Sequence, residues 1–261
     1  MQAFDYQAPT SLKQALAAAA AGARFLAGGQ SLLPAMKLGL AAPEVLADLA
    51  ALAELKGIRL AAGSLRIGAM STHAEVAASA EVLKAIPALA QLAAHIGDAQ
   101  VRNRGTLGGS LANNDPAACY PAAVLGLGAT VHTDRRDIAA DDFFKGLFET
   151  ALAEGEIIVA VSFPVPERAA WQKFMQPASR FSLVGVFVSK ATQGGAVRVA
   201  VTGAGPCVFR ARELEQRLAK SWSAAALEGT SVASDGLTTD MHGSAAYRAA
   251  LIPVLTRRAL G

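Results

Sequence analysis

Apolar positions along the chain change their spacing several times, and each change marks an element. Near the N-terminus FDY alternates as a short strand. SLKQALAAAAAG then follows a helical period, with Thr10 or Ser11 as N-cap and Gly22 as its stop. RFLA predicts a second strand, AGGQS a tight turn, LLPAMKL a short helix with Pro34 in its first turn, and EVLADL a third strand. Residues 4–50 therefore predict one βαβ-like unit.

From residue 57 the pattern predicts a second α+β unit that closes at residue 165. GIRLAAGSLRIGA alternates as a hairpin with its turn at GS. THAEVAAS and the single run EVLKAIPALAQLAAHI are helical by period, whereas VRNRGTLGGSLANND is polar and glycine-rich and predicts a loop. YPAAVLGLGA predicts a helix, ATVHT a strand, and EIIVAVSFPVP a strand broken by Pro164 and Pro166, where a domain boundary is expected. Beyond it, FSLVGVFVSK and AVRVAVTG flank the turn TQGG as an antiparallel hairpin. ARELEQRLAKS, SAAALEG and SAAYRAALIPVLTRRAL follow as helices. The predicted organisation is residues 1–166, made of subdomains of about 1–55 and 56–166, then a C-terminal domain over 167–261.

Composition narrows the function. At 52% hydrophobic residues the 261-residue chain has ample core, but its apolar runs are short and alanine-rich, below the roughly 20 residues of a membrane span. The start MQAFDYQAPT has no basic residue and an early Asp5, unlike a signal peptide, so a cytoplasmic protein is expected. A net charge of +3, from 24 basic and 21 acidic residues without basic runs, gives no argument for nucleic acid. The two cysteines, Cys119 and Cys207, and the four scattered histidines (His73, His95, His132, His242) have neither metal-site spacing nor the grammar of a catalytic triad. No metal site and no catalytic side chain is predicted. Redox chemistry on this chain would need an organic cofactor.

Two stretches carry candidate binding chemistry. Ala27, Gly28, Gly29, Gln30 and Ser31 offer successive N–H groups with little Cβ obstruction, plus a hydroxyl, before a helix start. A nucleotide phosphate, a substrate carboxylate and a plain turn all satisfy that pattern. GTLGGSLANNDP is a second Gly-Gly stretch dense in polar residues, Ser110, Asn113, Asn114 and Asp115 among them. Buried, these need partners, which the hydroxyls of a ribityl or ribose chain would supply. The pair points to a dinucleotide clamped between two units. A third glycine pair, GAGPCV over 203–208, looks like a Rossmann fingerprint, but Val208 stands in the third glycine position and Pro206 removes an N–H.

With both stretches in view, the chain resembles the FAD-binding medium subunits of molybdenum hydroxylases, the carbon monoxide dehydrogenase and xanthine dehydrogenase family. The resemblance rests on FLAGGQSLLPAMKL, LRIGAMSTHAEV, IGDAQVRNRGTLGGSLANNDPAACYPA, EIIVAVSFP and SAAYRAALIPVLTRRAL, in family order over nearly the whole chain. It implies an α+β fold of the vanillyl-alcohol-oxidase (PCMH) type, two α+β subdomains holding FAD between them, followed by a C-terminal domain with a small antiparallel sheet and helices. Ala27, Gly28, Gly29, Gln30 and Ser31 would wrap the FAD diphosphate. Thr106, Gly108, Gly109, Ser110 and Asp115 would lie near the ribityl–phosphate region, Ile157 or Ile158 at an apolar wall, and Lys173 near the flavin. Two positions depart from the family pattern. Cys119 replaces a frequent acidic residue, which leaves only its backbone for contact, and Arg180 replaces a frequent Asp.

The resemblance further implies non-covalent FAD, because relatives that attach flavin covalently use His or Cys where this chain has Gln30. A large molybdenum–pterin subunit and a small subunit with two [2Fe-2S] clusters would be the partners, assembled as a dimer of heterotrimers. Electrons would pass from the clusters through FAD to an external acceptor. Two other readings are a self-contained flavin oxidase or dehydrogenase of the same fold, and a cofactor-free assembly subunit. Among remaining residues, His73 and His132 read as cap or core residues rather than bases, Trp171 and Phe174 as core aromatics, and Cys119 has no basic neighbour in sequence to activate its thiol.

Overall fold

A computed structural model describes all residues 1–261. The first unit comprises β1 (Asp5–Gln7), α1 (Leu12–Ala20), β2 (Arg24–Leu26), α2 (Leu32–Lys37) and β3 (Val45–Asp48). Its three strands are parallel in the order β1-β3-β2. Ser11 caps α1 by accepting from the Gln14 N–H, and Gly22 follows the helix with φ 93°. The parallel order places the β2–α2 turn at the C-terminal ends of the strands, where open parallel sheets present ligand crevices.

The second unit is built on β4 (Ile58–Ala61) and β5 (Ser64–Gly68). Helices α3 (His73–Ala78), α4 (Ala80–Ala85), α5 (Pro87–Ala94), α6 (Ala99–Arg104), α7 (Leu107–Asn113) and α8 (Tyr120–Leu127) follow. Next come β6 (Thr130–Thr133), β7 (Asp137–Ala139), α9 (Ala140–Phe143), β8 (Phe144–Gly146), β9 (Glu149–Thr150) and β10 (Ile158–Pro164). An antiparallel five-stranded sheet runs β4-β5-β10-β6-β7. Its inner face sends Leu65, Ile67, Val131, Val161 and Phe163 into a core shared with α5, α7 and α8.

After Pro164 the chain leaves this sheet and enters a four-stranded antiparallel one: β11 (Pro166–Met175), β12 (Ser182–Ala191), β13 (Val197–Thr202) and β14 (Phe209–Arg210). Helices α10 (Arg212–Lys220) and α11 (Ala245–Ala259) cover it over a separate core of valines from β12 and β13 with Leu214, Leu218, Ile252 and Leu255. The GAGPCV glycines follow β13 and lead into an antiparallel strand, so no Rossmann crossover exists.

Four expectations are corrected. The 101–115 stretch is not a loop but mostly α6 and α7, because Asp98 and Thr106 each accept a backbone N–H as N-caps and override the low propensity of Gly108 and Gly109. The EVLKAIPALAQLAAHI run breaks into α4 and α5 at Pro87, whose ring cannot continue the first helix and starts the second. In the β4–β5 hairpin the turn pair is Ala62–Gly63 with φ 48° and 74°, one residue before GS, since both turn positions need the left-handed region. SAAALEG forms only a short 3-10 turn at Ala224–Leu227. The ten-residue β11 has no alternating signal in sequence: only Trp171 is buried, and its exposed residues, Glu167, Arg168, Phe174 and Met175, mix charged and apolar side chains.

Candidate functional site

A cleft of about 1060 Å³ lies between the first two units and reaches the tip of the β11–β12 hairpin. Every residue proposed from sequence, Ala27, Gly28, Gly29, Gln30, Ser31, Thr106, Gly108, Gly109, Ser110, Asp115, Cys119, Ile157 and Lys173, lines this one cleft. Chain positions up to 146 apart, from Ala27 to Lys173, are thus brought to a single surface.

The β2–α2 turn leaves its backbone donors uncommitted. The N–H groups of Gly28, Gly29, Gln30, Ser31 and Leu32 donate to no group of the protein. Gly29 sits at φ 73°, a conformation open to glycine at no steric cost. Ser31 precedes α2 without a side-chain cap bond, so its hydroxyl is also free. Gln30 reaches only the Gly28 carbonyl, with Nε2 donating at 3.4 Å. A run of donors without acceptors on a concave wall fits an anionic group.

Gly28 has a different reason to lack a side chain. A Cβ there would stand 2.0 Å from the Arg104 carbonyl oxygen, so the two stretches meet backbone to backbone. Gly109 repeats the contact from the other side, where a Cβ would come 3.3 Å from that of Ala27.

The second stretch uses its donors internally. The N–H of Leu107 bonds the Ser71 carbonyl at 3.0 Å and that of Gly108 the Ala69 carbonyl at 2.8 Å. Gly109 donates to Thr106 Oγ1 at 3.1 Å, and Ser110 to the Thr106 carbonyl at 3.0 Å. What remains toward the cleft is the Ser110 hydroxyl, the Asn113 amide and the Asp115 carboxylate, whose Oδ1 already accepts from the Ala117 N–H at 2.8 Å. Asn114 commits its donors within the protein: it ends α7 at φ 43°, and its Nδ2 donates to the carbonyls of Gly146 and Glu149 at 2.9 and 2.8 Å, while its buried Oδ1 has no partner. The density of polar residues here is therefore partly capping and cross-linking of the β8–β9 hairpin.

The far end of the cleft is cationic and apolar. Lys173 Nζ donates to the His95 carbonyl at 3.0 Å and stands 3.4 Å from Cys119 Sγ, so the basic neighbour missing in sequence arrives from β11. Ser182 Oγ lies 3.5 Å from the same sulfur. Ile157 is buried against Ala15, Leu49, Leu55 and Met70, which makes that wall apolar. Phe181 and Arg180 stand at the mouth, with Arg180 at φ 61°, a left-handed position costly for a side chain of its size. Trp171 is fully buried in the main core and Phe174 packs edge-on against Tyr247; neither faces the cleft.

Two buried titratable wall residues, His73 and Glu156, were not assigned to the site from sequence. His73 starts α3 and is buried beneath Gly105, where a Cβ would meet its Nε2 at 2.5 Å; its Nδ1 has no partner. Burial, reinforced by the Arg102 charge, lowers its pKa to about 4, which keeps the imidazole neutral. Glu156 is held down to about 2, chiefly by its hydrogen bonds from Arg136, with further donors from the Ala153 N–H and Thr133. Both signals are contacts between distant segments, which a linear pattern does not carry.

Comparison with known proteins agrees with this geometry. The family model described as "FAD binding domain in molybdopterin dehydrogenase" matches residues 2–166, and "CO dehydrogenase flavoprotein C-terminal domain" matches residues 169–261. The nicotine 6-hydroxylase medium subunit of Paenarthrobacter nicotinovorans is 36% identical over 100% of this chain and 97% of its own length. The carbon monoxide dehydrogenase medium chain of Hydrogenophaga pseudoflava is 34% identical over 98% and 96%. Among solved structures, a chain of quinoline 2-oxidoreductase from Pseudomonas putida 86 superposes with a TM-score of 0.89 at 36% identity, covering 99% of this chain and 96% of that one. The fold and cleft thus define a flavoprotein of the PCMH type. The chain belongs to the family of FAD-binding medium subunits of molybdenum hydroxylases, the electron-transferring flavoprotein components of these oxidoreductases.

Proposed function

We propose that the cleft holds FAD by non-covalent contacts alone, with its diphosphate on the β2–α2 turn. The observation that carries this reading is the set of five consecutive N–H groups, Gly28 to Leu32, without a protein acceptor, beside the free Ser31 hydroxyl. Their spacing suits oxygens distributed over two phosphates, and backbone donors add no side-chain entropy cost. Thr106, Ser110 and Asp115 line the ribityl side, Ile157 gives an apolar wall, and Lys173 with the Cys119 backbone lies toward the flavin. Gln30 is no nucleophile, which supports a flavin free of a protein bond.

When bound, FAD supplies redox chemistry that takes up electrons singly and releases them singly or in pairs. The chain's own residues bind and orient the group, exclude water from its apolar wall and set charge beside it. No side chain need move a proton for that task. In this reading residues 1–166 are the FAD-binding domain and 167–261 a C-terminal domain that covers the cleft through β11 and the hairpin tip. Electrons arrive from the two [2Fe-2S] clusters of a small subunit, fed by a molybdenum–pterin large subunit, in a cytoplasmic dimer of heterotrimers. No helix of the chain is long and apolar enough to cross a membrane. The named relatives act on nicotine and carbon monoxide, so substrate choice belongs to the other subunits.

Acid precipitation of the purified complex tests the binding mode. The yellow chromophore is expected wholly in the supernatant as FAD, at one per chain. Flavin retained on the precipitated chain, or a colourless complex with full acceptor reduction, contradicts the proposal.

A further inference from the structure

The outer face of the five-stranded sheet carries chemistry that the cleft does not use. There Ser162 of β10, His132 of β6 and Asp137 of β7 form one hydrogen-bonded chain. His132 Nδ1 lies 2.6 Å from Asp137 Oδ1, and its Nε2 lies 2.7 Å from Ser162 Oγ. Strand register produces the arrangement. His132 and Asp137 are direct partners, and Ser162 pairs with Thr130, two residues from His132, so strand alternation brings all three side chains to one face.

The protons on this chain follow from elementary chemistry. An ionised carboxylate only accepts, so the Asp137 contact places the imidazole hydrogen on Nδ1. Nε2 is then an acceptor, and the Ser162 hydroxyl donates to it. Nucleophile, base and orienting acid stand in the order that activates a serine. The trio reaches the surface: the Asp137 side chain is 67% exposed, that of His132 19%, and Ser162 is half-buried.

A second observation indicates the charge of the ligand. Arg66 is the direct cross-strand partner of Ser162 on β5, and Arg59 is the partner of Arg66 on β4. Neither guanidinium makes an ion pair, and both like charges stand opposed on adjacent strands, which is unfavourable without a counter-ion. Arg66, directly across from Ser162, is therefore the cation placed to hold an anionic group of a ligand that reaches Ser162.

We propose that Ser162 is an activated nucleophile and that this face accepts small acyl esters bearing an anionic group. Ser162 Oγ adds to the acyl carbon while its proton passes to His132 Nε2. The bond to the leaving alcohol breaks, and His132 returns that proton to the departing oxygen. Water then adds to the acyl carbon with its proton on Nε2, the bond to Oγ breaks, and Ser162 recovers its hydrogen. One ester and one water give one acid and one alcohol, with nothing oxidised or reduced.

The test uses the full chain with a fluorophosphonate probe, followed by peptide mass spectrometry, and with 4-nitrophenyl hemisuccinate against 4-nitrophenyl acetate. An adduct on Ser162 is expected, absent in Ser162→Ala and formed at least about tenfold more slowly in Asp137→Asn. Arg66→Gln is expected to slow the hemisuccinate about tenfold while changing the acetate less. FAD content reports folding in each variant. Asp137→Asn, at an exposed position, keeps the test open if Ser162→Ala does not fold. An unlabelled Ser162 in the wild-type chain, or equal rates in wild type and Asp137→Asn, overturns the proposal.

Discussion

The β2–α2 turn and the start of α7 look alike in sequence, each with two adjacent glycines and a nearby hydroxyl, yet the fold uses them in opposite ways. In the turn, Gly28 to Leu32 keep their N–H groups unbonded and Ser31 caps nothing. At α7, Leu107 to Ser110 have every N–H engaged, and Thr106 is the cap. One stretch is a set of donors awaiting an acceptor; the other is a rigid support that fixes where those donors stand. The comparison shows that a glycine pair marks close approach, and that only the hydrogen-bond inventory tells whether the approach is to a ligand or to more protein.

The strongest way to break this comparison is Gly28→Ala. Its Cβ would face the Arg104 carbonyl at 2.0 Å, so the two stretches must separate. A loss of about 3 kcal/mol, together with FAD, is expected in denaturant titrations of the variant. Wild-type stability with FAD retained would show that the stretches are not in contact.

Acidification sharpens the support side. His73, beneath Gly105, titrates near 4 in the fold against an ordinary value near 6.5. Above pH 6.5 both folded and unfolded chains hold it neutral. Between 6.5 and 4 the unfolded chain takes up a proton that the fold refuses, so stability falls as pH falls, by on the order of 3 kcal/mol in all. Urea midpoints measured across that window should decline less steeply in His73→Gln.

The smaller effects separate the two hydroxyls. Thr106→Ala removes an N-cap and is expected to cost about 1 kcal/mol of stability. Ser31→Ala removes no bond within the protein, so the melting temperature of the FAD-free chain should be unchanged, while FAD affinity falls about fivefold to tenfold. The reverse pattern, with Ser31 structural and Thr106 silent, would invert the assignment.

Much of this was legible in the sequence because it is local. The βαβ pattern, the first turn, the position of the C-terminal hairpin and the residues gathered on the cleft all follow from period, turn chemistry and family resemblance. The misread elements have local causes too: the caps Asp98 and Thr106 turned an apparent loop into helices, and Pro87 divided a long apolar period. Other features were invisible for a different reason. The resemblance put Lys173 near the flavin, but its contact with Cys119 across 54 residues, like that of His132 with Ser162 across 30, has no signature along the chain.

The central claim is that the unbonded amides of the β2–α2 turn receive the FAD diphosphate. Amide hydrogen exchange at Gly28 to Leu32, resolved by residue with and without saturating FAD, tests it most directly. These five amides should slow at least about tenfold on binding, while those of Leu107 to Ser110, already bonded, change far less. Exchange at Gly28 to Leu32 that is equally fast in both states would contradict the account.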